Sequence, residues 1–225
     1  MPDPAPIDLD SWPRRPHFEH YLRTVPCSYA MTVDIDVTAF VPAVRAAGKR
    51  GYLAQIWAIT SVVNRHQEFR MCLDEEGAPA VWAETHPAFT VFDAERETFA
   101  SLWVPFDRDF AAFHEAAERV IAEHAGSPEM FPQGAPPAHT FNVSSLPWTG
   151  FTGFTLNVDE RSGYLAPIFT IGRYQQRDGR VLMPLAVQVH HAAADGFHTA
   201  RLVNELRELL ADPSWADAPA RPRSA

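Results

Sequence analysis

Apolar and polar positions alternate along several stretches of the chain, and this pattern predicts β-strands. In residues 27–37 the apolar side chains fall on one face, as in a half-buried strand. Residues 180–189 form an apolar run rich in Val and Leu that follows Asp178-Gly179, a dipeptide typical of hairpin turns. Further strands are predicted, in chain order, at 69–73, 79–83, 89–92, 98–104, 151–158 and 164–174.

Apolar residues recur at helical spacing between these strands. Thr38 is predicted to cap a helix that runs to about Ala47, and helices are also predicted over 53–63 and 107–125. The last helix is predicted over 197–210, with its apolar stripe at Phe197, Ala200, Val203, Leu206 and Leu210. Strands and helices that alternate in this way favour an α/β or α+β domain.

Length and composition narrow the class of protein. A chain of 225 residues with 46% hydrophobic residues fits one globular domain, which we place at residues 1–211, and the Pro- and Ala-rich stretch 212–225 is expected to be disordered. The net charge of -9 argues against a nucleic-acid partner. The sequence has neither a secretory leader pattern nor an apolar run of membrane-spanning length, so we expect a soluble cytoplasmic protein without a membrane partner.

The chemistry-bearing stretch is 187–198, where an apolar run ends in His190-His191 and is followed by Asp195-Gly196. A histidine exchanges its proton near neutral pH, so a histidine at a strand end that faces a cleft is a candidate general base. Adjacent strand residues point to opposite faces, so at most one of the two histidines serves a given site. Asp195 is also well placed as a helix N-cap. A zinc site fits less well, because the cysteines lie far away in the sequence.

Two other stretches contain polar residues in apolar surroundings. A strand from Thr140 runs into Ser144-Ser145 and then Pro147-Trp148, where a hydroxyl has either a turn-capping or a catalytic role. Near the N-terminus, residues 11–21 are dense in charge and aromatics and are typical of a short helix with a solvated face.

These stretches together resemble the type A chloramphenicol acetyltransferases. The matching segments are Trp-x-Arg-x-x-His-Phe-Glu from Trp12, Ser-x-x-Pro-Trp from Ser144, Ala-Pro-x-x-Thr-x-x-x-Tyr from Ala166, and His-His-Ala-x-x-Asp-Gly-Phe-His from His190. They occur in the family's order and cover residues 9–210. A looser His-x-x-x-Asp-Gly pattern is shared with dihydrolipoamide acyltransferases and condensation domains.

The resemblance implies a mechanism and residue roles. His191 is the expected general base, with its tautomer held by its own backbone carbonyl, and Ser144 is the expected donor to the oxyanion. Arg14 and Asp195 are expected to form a structural ion pair. The acetyl donor is acetyl-coenzyme A, a co-substrate, with neither a permanently bound cofactor nor a metal. The acceptor is a small molecule, chloramphenicol, whose inactivation gives antibiotic resistance.

The same resemblance implies an architecture and further binding residues. The expected fold is a two-layer α/β sandwich with a mixed sheet and helices packed on one face, assembled as a homotrimer with active sites between subunits. Coenzyme A contacts are expected from Trp148, Thr170 and Tyr174. The acceptor pocket is expected at Tyr21, Cys27, Phe99, Phe131, Phe154 and Leu156.

Two rival interpretations remain open at this stage. One is the same chemistry on another small hydroxylated acceptor, since pocket shape decides the acceptor. The other is a ligand-binding homologue without catalysis, which the presence of Arg14, Ser144, His191 and Asp195 disfavours.

Overall fold

The computed structural model describes residues 3–159 and 162–218, and a strand late in the described chain lies inside the main sheet, next to its edge. This strand, β10 (Arg180–His190), pairs antiparallel with β2 (Ser28–Asp36) on one side and with β8 (Ile168–Gly172) on the other. It is buried from Leu182 to its end, which explains its unbroken apolar sequence. The predicted hairpin turn before it is present: Asp178 and Gly179 have φ of 52° and 76° and join β9 (Gln175–Arg177) to β10.

The rest of the sheet combines parallel and antiparallel pairs. β7 (Thr140–Leu146) runs parallel to both β8 and β5 (His86–Asp93), and β6 (Thr98–Trp103) pairs antiparallel with β5 at the outer edge. The order across this seven-stranded sheet is β2-β10-β8-β7-β5-β6, with β9 beside β10. A smaller sheet near the N-terminus contains β1 (Ala5–Pro6), β3 (Met71–Leu73) and β4 (Pro79–Val81).

The helices form the second layer around one central helix, α3 (Gly51–Val63), which is buried along most of its length. Three others pack against it, namely α2 (Phe40–Ala46), α4 (Phe110–His124) and α5 (Gly196–Ala211). A helix that is apolar on all sides belongs in a core. α1 (Arg15–Glu19) lies apart and buries Phe18 in a smaller apolar cluster that includes Ala192 and Ala193. The predicted two-layer fold with a mixed sheet is confirmed. Among the described residues, each helix is too short or too polar to cross a bilayer.

Some local predictions were wrong. The alternating stretch 151–158 is not a strand, because side chains bind its backbone: Thr32 Oγ1 accepts from Phe154 N–H, and Gln188 Oε1 from Leu156 N–H. Thr38 does not cap α2; its hydroxyl contacts Asp36 and accepts the Val181 N–H, which joins β2 to β10. Phe197 is 70% exposed, because the buried face of α5 is formed by Thr199, Leu202, Val203, Leu206 and Leu210.

The stretch that follows α5 is not wholly disordered, contrary to the sequence prediction. Residues Pro213–Asp217 form a short 3₁₀ helix, and the Trp215 ring packs 4.5 Å from that of Trp57 and 5.0 Å from that of Phe110. The composition of this stretch does not indicate the contact, because a single tryptophan makes it within a segment otherwise rich in Pro and Ala. Residues 219–225 lie outside the described residues.

Two neighbouring histidines, His86 at the start of β5 and His139 just before β7, predict an acid-sensitive fold. The rings of His86 and His139 lie 4.7 Å apart, and burial, with His139 adding to it, lowers the pKa of His86 from 6.5 to about 4. The unfolded chain takes up this proton near its ordinary pKa, whereas the folded chain resists it. Stability that is present above pH 6.5 is therefore lost as the pH falls toward 4.

We expect the free energy of unfolding in urea to drop by about 1 kcal/mol between about pH 7.5 and about pH 5, allowing for partial exposure of His86. The variant His86→Asn keeps an acceptor for the Phe106 N–H, which His86 Nδ1 now accepts, and removes the ionisation. Its stability should depend less on pH than that of the wild type. Parallel pH profiles for the two proteins would contradict the assignment.

Candidate active site

His191 follows directly on the buried end of β10. Its N–H donates to the Cys27 carbonyl at 2.9 Å, which ties the start of the turn to the residue before β2. The half-buried ring stacks on Tyr21 with centroids 3.8 Å apart and planes 5° apart, and Tyr29 meets it edge-on at 5.3 Å. Its buried Nδ1 has no hydrogen-bond partner among the described residues, so the expected bond from Nδ1 to its own carbonyl is not formed. Aromatic packing therefore orients this ring.

His190 has a structural position, which agrees with its opposite orientation. It is 4% exposed, its Nδ1 accepts from Ala192 N at 3.2 Å, and its carbonyl accepts from the amides of Ala193 and Ala194. All three alanines are buried, so the turn after His191 has room only for small side chains. This tight turn leads into α5.

Asp195 caps α5 and binds Arg14 rather than His191. Its Oδ1 accepts from Phe197 N at 3.1 Å, while Oδ2 pairs with Arg14 Nη1, and Arg14 Nη2 reaches the Ala192 carbonyl at 3.4 Å. Burial raises the pKa of Asp195, but the charges of His198 and Arg14, together with hydrogen bonds, outweigh burial and hold that pKa below its ordinary value. The aspartate is thus ionised at neutral pH and anchors the turn to the N-terminal segment.

Substituting Asp195 by Asn should separate its charge from its capping role. Asn caps helices about as well as Asp, so the loss reports the charge contacts with Arg14 and His198. We expect about 1 to 2 kcal/mol lower stability in urea at neutral pH, a value reduced by the pair's partial exposure, and a lower turnover rate. The difference should shrink as the pH falls through the low pKa of the wild-type carboxyl. An unchanged melting temperature together with an unchanged rate would count against the ion pair.

Ser144 lies on β7 beside Thr170 of β8. Their hydroxyls are 3.1 Å apart, Thr170 is buried, and Ser144 Oγ is also 3.4 Å from the Phe169 carbonyl. The exposed ring of Trp148, four residues further along, rests on Phe92 at 4.6 Å. The serine is therefore half-buried, held by a neighbour and flanked by an exposed aromatic surface.

Tyr174 lies just beyond β8, and its hydroxyl accepts from Gln55 Nε2 of α3 at 2.6 Å. Burial raises the pKa of Tyr174 to about 12, so the phenol stays protonated and keeps its own proton for donation. Gln55 itself is 5% exposed. The pair fixes the direction of the tyrosine at the edge of the helical layer.

The structure does not bring Ser144 to His191 within one chain. In the strand register Ser144 of β7 pairs with Thr170 of β8, and Thr170 pairs with Ala186 of β10. His191 follows Ala186 by five positions along the chain. Two strand spacings of about 4.8 Å across the sheet and five residues of about 3.3 Å along it separate their Cα atoms by roughly 19 Å. Both residues cannot contact one small group in a single chain.

The other predicted pocket residues fall into separate groups. Tyr21 and Cys27 lie at His191, as described above. Phe154 and Leu156 lie over β2 and β10, to which their backbone amides bind. Phe99, opposite Phe92 in the β5–β6 register, and Phe131 are exposed near the outer strand, at 46% and 41%.

Sequence reasoning missed three residues that support this site. Gln55 holds Tyr174, Tyr29 contacts His191 and shares a 2.7 Å hydrogen bond with the buried Thr199, and His198 binds Asp195. Tyr29 was detectable, because it heads the alternating face of a predicted strand that ends beside the His-His turn. Among residues 3–159 and 162–218, no three His, Cys, Asp or Glu side chains come together as a metal site.

Known proteins match this chain over most of its length. The family model described as "Chloramphenicol acetyltransferase" matches residues 4–207. A chloramphenicol acetyltransferase from Streptomyces acrimycini is 64% identical over 215 residues, which are 96% of this chain and 98% of the relative. A second, from Clostridium perfringens, is 43% identical over 206 residues, covering 92% and 94% of the two chains.

Solved structures with similar folds include two kinds of acetyltransferase. A chloramphenicol acetyltransferase superposes with a TM-score of 0.81 at 23% identity, over 92% of this chain and all of that one. The dihydrolipoamide acetyltransferase of Azotobacter vinelandii gives a TM-score of 0.67 at 21% identity, over 96% and 99% of the two chains. At these identities the superpositions support the fold.

Proposed function

The chain belongs to the chloramphenicol acetyltransferase family, and from this premise we propose that it moves the acetyl group of acetyl-coenzyme A to a hydroxyl of chloramphenicol. The observation that supports this most directly is the state of His191. Its ring is oriented by Tyr21 and Tyr29, and its Nδ1 is buried without a hydrogen-bond partner among the described residues, so Nε2 is the nitrogen that we assign to the acceptor hydroxyl. A ring held in place with an open nitrogen is what a general base requires.

His191 takes the proton of the acceptor hydroxyl as that oxygen attacks the thioester carbonyl. The resulting tetrahedral intermediate collapses, the carbon–sulfur bond breaks, and the proton on His191 passes to the leaving thiolate. Acceptor and donor bind together, so the acetyl group goes directly to the acceptor without an acyl-enzyme. Because Asp195 pairs with Arg14, we give it a structural role in the turn and no part in proton transfer.

The Ser144 hydroxyl donates a hydrogen bond to the oxyanion of that intermediate. A donor already in place before reaction stabilises the developing charge without reorganising. The contact with Thr170 at 3.1 Å limits the directions available to the Ser144 hydroxyl. Ser144 is therefore an electrostatic partner of the reacting carbonyl and not a nucleophile.

The coenzyme lies along the end of the sheet that bears Trp148, Thr170 and Tyr174. Trp148 is 55% exposed and offers a flat apolar surface, and Tyr174 offers a protonated phenol held by Gln55. Acetyl-coenzyme A is the co-substrate, and we place the reaction in the cytoplasm. The acceptor is held by Tyr21, Cys27, Phe99, Phe131, Phe154 and Leu156.

The working enzyme is a homotrimer with each active site between two copies. Within one chain the base and the oxyanion donor are roughly 19 Å apart, by the strand geometry given above. A thioester carbonyl and an attacking hydroxyl span a few ångströms, so His191 of one copy must meet Ser144 of another. In a ring of three subunits, each subunit makes this heterologous contact with the next, and the third contact closes the ring.

Mixing two inactive variants tests the shared site. Trimers that contain both His191→Ala and Ser144→Ala subunits each have one interface with an intact pair. Random mixing from equal amounts of unfolded chains should therefore restore about a quarter of the wild-type rate. Sedimentation should give three times the mass of the chain. A monomer with full activity, or no recovery in confirmed mixed trimers, would reject the interfacial site.

The reaction itself is tested by thiol release from acetyl-coenzyme A with purified protein and chloramphenicol. Release that requires chloramphenicol supports the proposal. Release only with other alcohols would keep the chemistry and replace the acceptor. Absence of release with any acceptor, from folded protein, would favour a ligand-binding homologue.

A further inference from the structure

His198, in the first turn of α5, has both ring nitrogens against carboxylates, and the proposed reaction does not use it. Nδ1 lies 2.8 Å from Asp195 Oδ1, and Nε2 lies 3.4 Å from Glu68 Oε1. The imidazole side chain is 12% exposed and that of Glu68 is 14% exposed. Removing two carboxylates from water beside one imidazole ring costs free energy unless the ring donates hydrogen bonds to them.

These contacts belong to a continuous chain of polar groups that reaches the active-site turn. Glu68 lies in the short turn Gln67–Phe69 after α3, and its Oε2 accepts from Arg201 Nη2 at 3.1 Å. At the other end, the second oxygen of Asp195 binds Arg14, whose guanidinium also donates to the Ala192 carbonyl. Ala192 directly follows His191, so the chain of contacts ends one residue from the proposed base.

We propose that His198 is a positioning residue for acetyl transfer: it couples Asp195 to Glu68 and thereby fixes the turn that presents His191. This inference rests on the proposed function. Asp195 Oδ2 is held by Arg14 and Oδ1 by His198 together with the Phe197 amide. Loss of the imidazole frees one side of this carboxylate, so that the carboxylate, Arg14 and the Ala192 carbonyl shift together.

A simpler role for His198 is helix capping, and one substitution separates the two roles. The Asp195 N–H lies 3.2 Å from His198 Nδ1, and a ring whose Nδ1 accepts this N–H completes a capping box with Asp195 as N-cap instead of donating to Asp195 Oδ1. Gln is a usual residue at this position of a capping box, so His198→Gln preserves the cap. The glutamine side chain has one amide nitrogen in place of the two ring nitrogens and cannot bridge the two carboxylates.

We expect His198→Gln to lower kcat about tenfold while the KM values for both substrates stay close to wild type, because a small displacement of a catalytic group slows reaction more than binding. Glu68→Gln should have the same effect, and the double variant should be no slower than either single variant. Asp109→Ala, which removes the N-cap of α4 far from the turn, is the control: it should lower the urea midpoint and leave kcat unchanged.

A second measurement does not depend on activity. The His191 ring, stacked on Tyr21, should give proton resonances displaced by the ring current, identified by their loss in His191→Ala. These resonances should move in His198→Gln and stay in place in Asp109→Ala. Unchanged kcat and unchanged His191 resonances in His198→Gln would overturn the inference. An inactive wild type whose His191 resonances still respond to His198→Gln would reject the proposed function and retain the structural coupling.

Discussion

Replacing His191 by alanine should lower kcat by about 10³ to 10⁴, because the acceptor hydroxyl then loses its base at neutral pH. The fold should survive, since the backbone contact to Cys27 does not involve the side chain. Loss of the stacked ring against Tyr21 should cost about 1 kcal/mol in urea. The measurement is coenzyme A thiol release under saturating substrates, with circular dichroism to verify folding.

His20→Ala is a matched control for that variant. His20 meets the same Tyr21 edge-on at 4.9 Å, so its removal also takes an imidazole from this aromatic cluster. It is exposed and has no role in the proposed reaction, and its kcat should equal that of the wild type. Turnover by His191→Ala within tenfold of His20→Ala would remove His191 from the role of base.

Replacing Ser144 by alanine should lower kcat by about 10² to 10³, the usual effect of removing one oxyanion donor. The KM values should change little, because the donor acts on charge that is absent from the bound substrates. The partner hydroxyl of Thr170 loses one contact, so we expect at most about 1 kcal/mol of lost stability.

The neighbouring serine provides the comparison. Ser145 follows on the same strand and points to the opposite face, so Ser145→Ala should retain wild-type kcat. Equal losses in both variants would indicate damage to β7 in general. Wild-type kcat in Ser144→Ala would show that another group stabilises the oxyanion.

Local sequence predicted those parts of the site that depend on neighbours in the chain. The apolar run of β10, the hairpin before it, the opposite faces of His190 and His191 and the cap at Asp195 all follow from spacings of a few residues. The pairing of Arg14 with Asp195 has no local signal, and the expectation came only from family resemblance.

What spacing did not reveal depends on contacts between distant segments. The alternation in 151–158 is real, yet its amides bind the side chains of Thr32 and Gln188 instead of a neighbouring strand. The stacking of Tyr21 on His191 joins residues far apart in the chain, so no periodicity encodes it. In the sequence His198 has the pattern of an ordinary helix residue, and only the fold places Glu68 beside it.

The position of β10 between β2 and β8 has a consequence for synthesis. β2 is made early and is an edge strand whose partner in the sheet is β10, the last strand to leave the ribosome. The sheet therefore stays open, with β2 and β8 apart, until β10 has emerged. Such late, long-range pairing is slow and exposes apolar strands during translation. The sheet should therefore close only after β10 has been made, and a ribosome stalled before β10 should hold an incompletely folded, chaperone-binding polypeptide.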